Sequence, residues 1–185
     1  LRRGAGPKLV ACTTWEGITA PAEVLEPLFT NFDQVWVPSL ANRTAFGGGS
    51  RRGLHIIPHA FDDEAPDPMR QGEGDSDRFR FYYVGAWTCR KNPGSLIRAF
   101  AHAFRPGSRA ELVIHSPGCP MEAFVAALAA TGLSQDELPT ITLSNKHVGV
   151  DSLAKLHADA DCFVTASRGE AWNLPAFDAM RAGRH

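Results

Sequence analysis

The chain of 185 residues carries 19 basic and 20 acidic side chains and a net charge of −1, so it offers no electrostatic footprint for nucleic acid or an anionic membrane. It is long enough to bury one large or two small cores, and no apolar run approaches the ~20 residues of a membrane-spanning helix. Four scattered cysteines without CxxC spacing and seven dispersed histidines argue against a zinc site; His55 and His59 flank Ile56-Ile57-Pro58 rather than a helix turn.

In chain order, residues 8–15 read as a buried strand, with Cys12 a reduced core residue as in a cytosolic protein. Before it, the basic start of Arg2, Arg3 and Lys8 leads into an apolar stretch too short for a signal peptide. A helix spans Ala22 to Phe29, and Gln34 to Ser39 is a second strand. Asn42 to Phe46 forms a helical turn, broken by Gly47-Gly48-Gly49-Ser50. Leu54 to His59 is a third strand, and Trp15, Trp36 and Phe61 are core aromatics. Residues 63–78 are rich in Asp, Glu, Pro and Gly and read as a linker.

From Phe79 the alternation is regular: strand 79–85 and helix 94–104, strand 111–115 and helix 121–131, strand 139–143 and helix 152–159, strand 161–166 and helix 174–182. Strands joined by crossover helices predict a parallel, doubly wound α/β sheet. Leu96, Ile97, Phe100 and Phe104 form the inner stripe of one helix, and Phe124, Val125 and Leu128 that of the next. Asp151 or Ser152 is expected to cap the third, and Cys162 to lie in the core. Gly183 suits a helix C-cap, and the next strand of a parallel sheet does not follow. The chain is therefore read as a fragment with incomplete domains, inactive by itself.

Two loops carry candidate chemistry. Ser167 to Met180 places Glu170 and Asp178 eight residues apart around a strand-to-helix turn, with Asn173 as the cap and Pro175 in the first turn. Both carboxylates can face the crevice at the carboxyl end of the strand, where open α/β sheets bind ligands. Backbone N–H groups from Ala171, Trp172, Asn173 and Leu174 would form an anion site at the helix N-terminus. Upstream, Phe81 to Val84 runs into Gly85, and the following loop delivers Arg90 and Lys91 ahead of an amphipathic helix.

These segments resemble the signatures of the retaining family-4 glycosyltransferases. In that family's donor motif, Glu-Gly-Phe-Gly-Leu-Pro precedes a helix with a second Glu and Ala-Met-Ala-x-Gly. Ser167, Glu170, Leu174, Pro175, Ala179, Met180, Ala182 and Gly183 match it in register. Asp178 replaces the second Glu, and Ala171, Trp172 and Asn173 replace Gly-Phe-Gly. The family's Val-Gly-Arg and Lys-Gly correspond to Val84-Gly85-Ala86 and Lys91-Asn92, so the lysine is kept and the arginine is not. Val35-Trp36-Val37-Pro38-Ser39 and Ile57-Pro58-His59 followed by Asp62 are similar to the end of the family's amino-terminal domain, from which Ala60 and Phe61 depart. Thr14-Trp15-Glu16 resembles one subgroup's Thr-x-Trp-Glu.

The resemblance implies a GT-B-like fold of two Rossmann-like domains with parallel sheets. Residues 1–62 would end the amino-terminal domain, 63–78 would link, and 79–185 would form the nucleotide-sugar donor domain. It implies metal-independent, retaining transfer of a hexosyl-type group, with the nucleotide-sugar a substrate and no cofactor. Lys91 and Glu170 would be the catalytic pair: Lys91 contacts the donor diphosphate and Glu170 the sugar hydroxyls, while Asp178 holds the ribose. Gly85, Arg90, Ala171, Trp172, Asn173 and Leu174 complete the donor site. Arg90 is a candidate replacement for the arginine missing at Ala86. The expected location is the cytoplasm, peripheral to a membrane in the full-length protein; the acceptor, saccharide, lipid or protein, is left open.

Ser116-Pro117 and Asn145-Lys146-His147 are expected near the same crevice, as nucleobase contacts or solvated loops. Two other readings stand beside the transferase. Ala86 and Asp178 favour a non-catalytic nucleotide-sugar or sugar-phosphate binding module. A Rossmann oxidoreductase is disfavoured because no GxGxxG follows a strand.

Overall fold

The computed structural model describes residues 7–48, 51–60 and 77–184. The expected linker, apart from its last two residues, lies outside them, as do Phe61, Asp62, Gly49 and Ser50. The chain forms two compact units, one of residues 1–63 with 169–173 and the other of 64–168 with 174–185.

In the first unit, β1 (Val10–Cys12), α1 (Ala22–Asn31), β2 (Gln34–Val37), α2 (Leu40–Ala45) and β3 (Leu54–Ile56) build a parallel sheet of order β1-β2-β3. Val35, Val37, Phe46, Leu25 and Leu54 form its core, and Trp15 packs against it. β1 is shorter than the sequence suggests, and among the described residues it pairs with β2 alone. Beyond it the chain bends, and the Trp15 N–H turns to the Asn42 side chain. Cys12 is exposed, contrary to expectation: successive strand residues face opposite ways, and Ala11 takes the inward position.

In the second unit, β4 (Phe79–Val84), α3 (Pro93–Ala103), β5 (Ala110–His115), α4 (Met121–Ala129), β6 (Thr140–Ser144), α5 (Val150–Asp159), β7 (Cys162–Phe163) and α6 (Leu174–Arg181) follow in turn. Their all-parallel sheet has the order β6-β5-β4-β7. The chain steps outward from β4 to β6, then returns to the far side of β4, so the order reverses between β4 and β7. Alternation along β4 and β5 divides the packing. Tyr83, Leu112 and Ile114 meet Leu96, Ile97, Phe100 and Phe124 of α3 and α4. Tyr82 and Val113 instead meet Leu156 and Ala179 of α5 and α6. Ile97, Leu112 and Ile114 are fully buried, and each contributes about 1.5–3 kcal/mol of transfer free energy.

Three further expectations are corrected. Val125 is 54% exposed and does not belong to the inner stripe of α4. Phe124 and Leu128, four residues apart, share the inner face with Ala127, whereas Val125 lies about 100° round from Phe124. Helix α5 begins at Val150 after Gly149, so Asp151 and Ser152 sit inside its first turn rather than at the cap. β7 pairs through two residues, and Cys162 is half-buried while Cys119 is the buried thiol. The strand is short because, after the Val164 N–H has bonded the Tyr82 carbonyl, the chain turns to bond the loop that follows β4.

Candidate functional site

The order reversal marks where a ligand site is expected in the second unit. At such a switch point the loops leaving neighbouring strands diverge and open a crevice at the carboxyl ends of the strands. The two loops leaving β4 and β7 are those that carry the motifs.

The loop after β4 is held from beneath. Gly85 continues the ladder by donating its N–H to the His115 carbonyl at 3.1 Å. The Tyr83 hydroxyl, on a buried ring, donates to the Ala86 carbonyl at 3.1 Å. A Cβ on Gly85 would stand 2.5 Å from that hydroxyl, so glycine is what lets the tyrosine reach the loop. Trp87 packs against the core, edge-on to Phe124 at 6.3 Å. Thr88 accepts from the backbone N–H groups of Lys91 (3.3 Å, through Oγ1) and Asn92 (2.9 Å, through its carbonyl). Arg90 and Lys91 thus sit, half-buried, on a braced turn ahead of Pro93 at the start of α3.

The two loops are bonded to each other. The Arg90 carbonyl accepts from the Arg168 N–H at 2.8 Å and from the Ser167 hydroxyl at 3.3 Å. The Asn92 side chain donates to the Ala166 carbonyl at 3.1 Å. Asn92 and Asn173 are the two non-glycine residues with positive φ among the described residues, at 53° and 62°. Each stands where the family motifs have glycine, and asparagine is the side chain that best tolerates the left-handed region. Asn173 therefore does not have the extended backbone of an ordinary N-cap.

Asp178 lies one turn into α6, half-buried, beside Ala179, which packs on Tyr82. Its charge is felt by a buried pair beneath the helix, in which the Tyr82 hydroxyl and His157 Nδ1 are 2.6 Å apart. Burial pushes the tyrosine up, helped by Asp178 and Cys162 and opposed by Arg184. Burial likewise holds the histidine below its usual value, against the pull of Asp178.

Glu170, Ala171, Trp172 and Asn173 belong to the first unit, whereas Gly85, Arg90, Lys91, Leu174 and Asp178 belong to the second. Leu174, the first residue of α6, is 51% exposed. In the first unit the Ala171 carbonyl accepts from Ser39 Oγ at 3.3 Å and from Asn42 Nδ2 at 3.2 Å. Trp172 meets His59 edge to face at 5.5 Å. Gly169 lies so close to the Glu16 carbonyl that a Cβ there would collide with it. Ser39 and Asn42 were not legible as site residues: Ser39 closed a strand pattern, and nothing distinguishes Asn42 from a surface asparagine in a short helix.

At the ends of β5 and β6, His115 Nδ1 and Ser144 Oγ are 3.1 Å apart, and the Ser116 N–H donates to the Ser144 carbonyl at 2.9 Å. Asn145 uses its side-chain amide to bond the Cys119 carbonyl at 3.2 Å, a bracing role. Burial, then the charge of His147, lower the His115 pKa. Among the described residues no three His, Cys, Asp or Glu side chains converge as a metal ligand set, and no helix is long and apolar enough to cross a membrane.

No protein-family model matches the sequence, and no curated protein matches it. Solved structures do match the fold. The pneumococcal O-GlcNAc transferase GtfA, in complex with UDP and GlcNAc, superposes with a TM-score of 0.69 at 17% identity, over 96% of this chain and 36% of that one. Sucrose-phosphate synthase from Thermosynechococcus elongatus gives 0.65 at 19% identity, over 95% and 48%. Anabaena HepE, in complex with UDP-glucose, gives 0.65 at 17%, over 96% and 52%. The chain thus spans about a third to a half of the length of these proteins, and its fold is the Rossmann-like α/β architecture of GT-B glycosyltransferases.

Proposed function

We propose that this chain is the donor-binding part of a retaining, family-4-like glycosyltransferase that moves a hexosyl-type sugar from a nucleotide-sugar to an acceptor, without a metal or cofactor. One observation carries the reading. The two loops at the order reversal of the second sheet are bonded together at the Arg90 carbonyl, and one presents Lys91 while the other leads, two residues after Arg168, to Glu170. UDP or a UDP-sugar bound to structures of the same fold supports the donor class.

The chemistry follows from charge. As the sugar–phosphate bond breaks, negative charge develops on the leaving diphosphate, and a preorganised cation stabilises it. Lys91 fills that role on its braced turn. Arg90, next to it, is the candidate to replace the arginine absent at Ala86. The N-terminal dipole of α6 adds favourable potential for an anion. Glu170 holds sugar hydroxyls and Asp178 the ribose; neither is required as a nucleophile, since the acceptor attacks on the face the diphosphate leaves. A cytoplasmic site of action, peripheral to a membrane, belongs to the same reading.

A non-catalytic nucleotide-sugar binding module is the second reading, favoured by Ala86 and by the shorter Asp178. Thermal shift of the full-length protein against UDP-, GDP- and ADP-sugars, with NAD as control, tests the donor class; stabilisation by NAD alone would refute it. Lys91→Ala in the full-length enzyme is expected to lower kcat by ~10²–10³, the loss for one preorganised donor. Arg90→Ala falls as far if Arg90 replaces the missing arginine. Unchanged turnover in Lys91→Ala removes the lysine from the mechanism, and sugar binding without turnover selects the binding module.

A further inference from the structure

Ser39 and Asn42 form a polar cluster within the first unit that packing alone does not require. Asn42 is 1% exposed, yet its whole amide is used. Its Oδ1 accepts from the Trp15 N–H at 2.7 Å, and its Nδ2 donates to Ser39 Oγ at 3.4 Å and to the Ala171 carbonyl at 3.2 Å. Ser39 has two tasks: its Oγ accepts the Asn42 N–H at 3.1 Å, capping α2, and donates to the same Ala171 carbonyl at 3.3 Å. Two donors on one carbonyl, one of them from a buried amide, fix a peptide plane more firmly than either does alone. A trans peptide is rigid, so holding the Ala171 C=O also fixes the direction of the Trp172 N–H that shares its plane. Glu170 is attached at the other side of Ala171.

We propose that Ser39 and Asn42 are positioning residues that set the orientation of the Glu170–Asn173 segment through its Ala171 carbonyl, and so the geometry of the sugar end of the donor site. The inference rests on the proposed function for its catalytic consequence, but not for the anchoring itself. A single backbone carbonyl is the point through which both residues act, and neither need touch the donor.

The test uses the full-length protein. Ser39→Asp keeps an oxygen that can cap α2 but removes the donor to Ala171. Ser39→Thr keeps the hydroxyl. Asn42→Ala removes the buried amide, and if it fails to fold the Ser39 pair decides. Hydrogen exchange of the 169–173 amides, without any donor present, is expected to speed up about fivefold in Ser39→Asp and to return to the wild-type rate in Ser39→Thr, the effect of one net hydrogen bond. With UDP-glucose and GDP-mannose as probes, kcat is expected to fall about fivefold in Ser39→Asp and to be restored in Ser39→Thr, the melting temperature of each being measured as control. Wild-type exchange in Ser39→Asp overturns the anchoring. Faster exchange with unaltered kcat confines the cluster to a structural role and overturns its part in the site. If the wild type turns over neither probe, the exchange measurement alone decides the anchoring, and the donor screen decides the transferase reading.

Discussion

Asn92 and Asn173 show how one residue type answers a backbone demand. Each holds a left-handed conformation at the mouth of a motif loop, where a β-branched side chain would clash with its own backbone. Asn173→Gly should be close to neutral, whereas Asn173→Val should cost roughly 1–2 kcal/mol, as measured by urea unfolding. Asn92→Gly gains the same backbone freedom but loses the bond to Ala166, so the two effects oppose each other. His157 makes a different prediction. Burial holds its pKa below the unfolded value of 6.5, so between the folded and unfolded values the unfolded chain binds more protons. Its contribution to stability is therefore complete above about pH 6.5 and is lost as the pH falls through that window. His115, lowered in the same direction, adds to the slope. His157→Phe should flatten part of the dependence of unfolding free energy on pH. It should also cost about 1–3 kcal/mol, because it leaves the Tyr82 hydroxyl buried without its partner.

Among the elements, α4 distinguishes periodicity from mere hydrophobicity. Phe124 and Val125 are adjacent and both apolar, but only Phe124 points at the sheet. Phe124→Ala should cost about 3–5 kcal/mol, and Val125→Lys should stay within about 0.5 kcal/mol, by chemical denaturation. Equal costs at the two positions would mean that the helix is rotated from this arrangement. α3 needs no such correction: Leu96, Ile97 and Phe100 are buried, and Phe104 packs as the helix ends. Its sequence had one good apolar stripe, whereas α4 offers apolar side chains nearly all round, Met121 and Val125 included.

At the scale of the whole molecule, the two ends of the second sheet differ in purpose. Its amino end is closed by charge. Arg80 Nε meets Glu111 at 2.5 Å, its guanidinium reaches the Asp159 carbonyl at 3.1 Å, and its backbone N–H donates to Asp161 at 2.6 Å. The carboxyl end bears the motif loops. Arg80→Ala should therefore lower stability by about 1.5–3 kcal/mol, the range for a charged hydrogen bond, and, on the proposed function, leave kcat of the full-length protein unchanged. Lys91→Ala should do the reverse. Unfolding curves and steady-state kinetics on both full-length variants check the contrast.

Much of this was legible in the linear chain, for a physical reason. The alternation of short apolar runs with amphipathic stretches from Phe79 onward is local information, set by the repeats of two and 3.6 residues, and it located the strands and helices of the second unit within a few residues. The placing of Gly85, Lys91 and Glu170 in loops after strand ends was legible in the same way, whereas the roles proposed for them came from the family resemblance. What tertiary structure decided was non-local. The order β6-β5-β4-β7, with its reversal beside β4, depends on which strands pair across dozens of residues, and no periodicity records that choice. The inward Ala11 and outward Cys12 depend on which face of an edge strand is covered. The bonds from Ser39 and Asn42 to Ala171 join residues more than a hundred positions apart, and short polar side chains carry no mark of the partner they will meet.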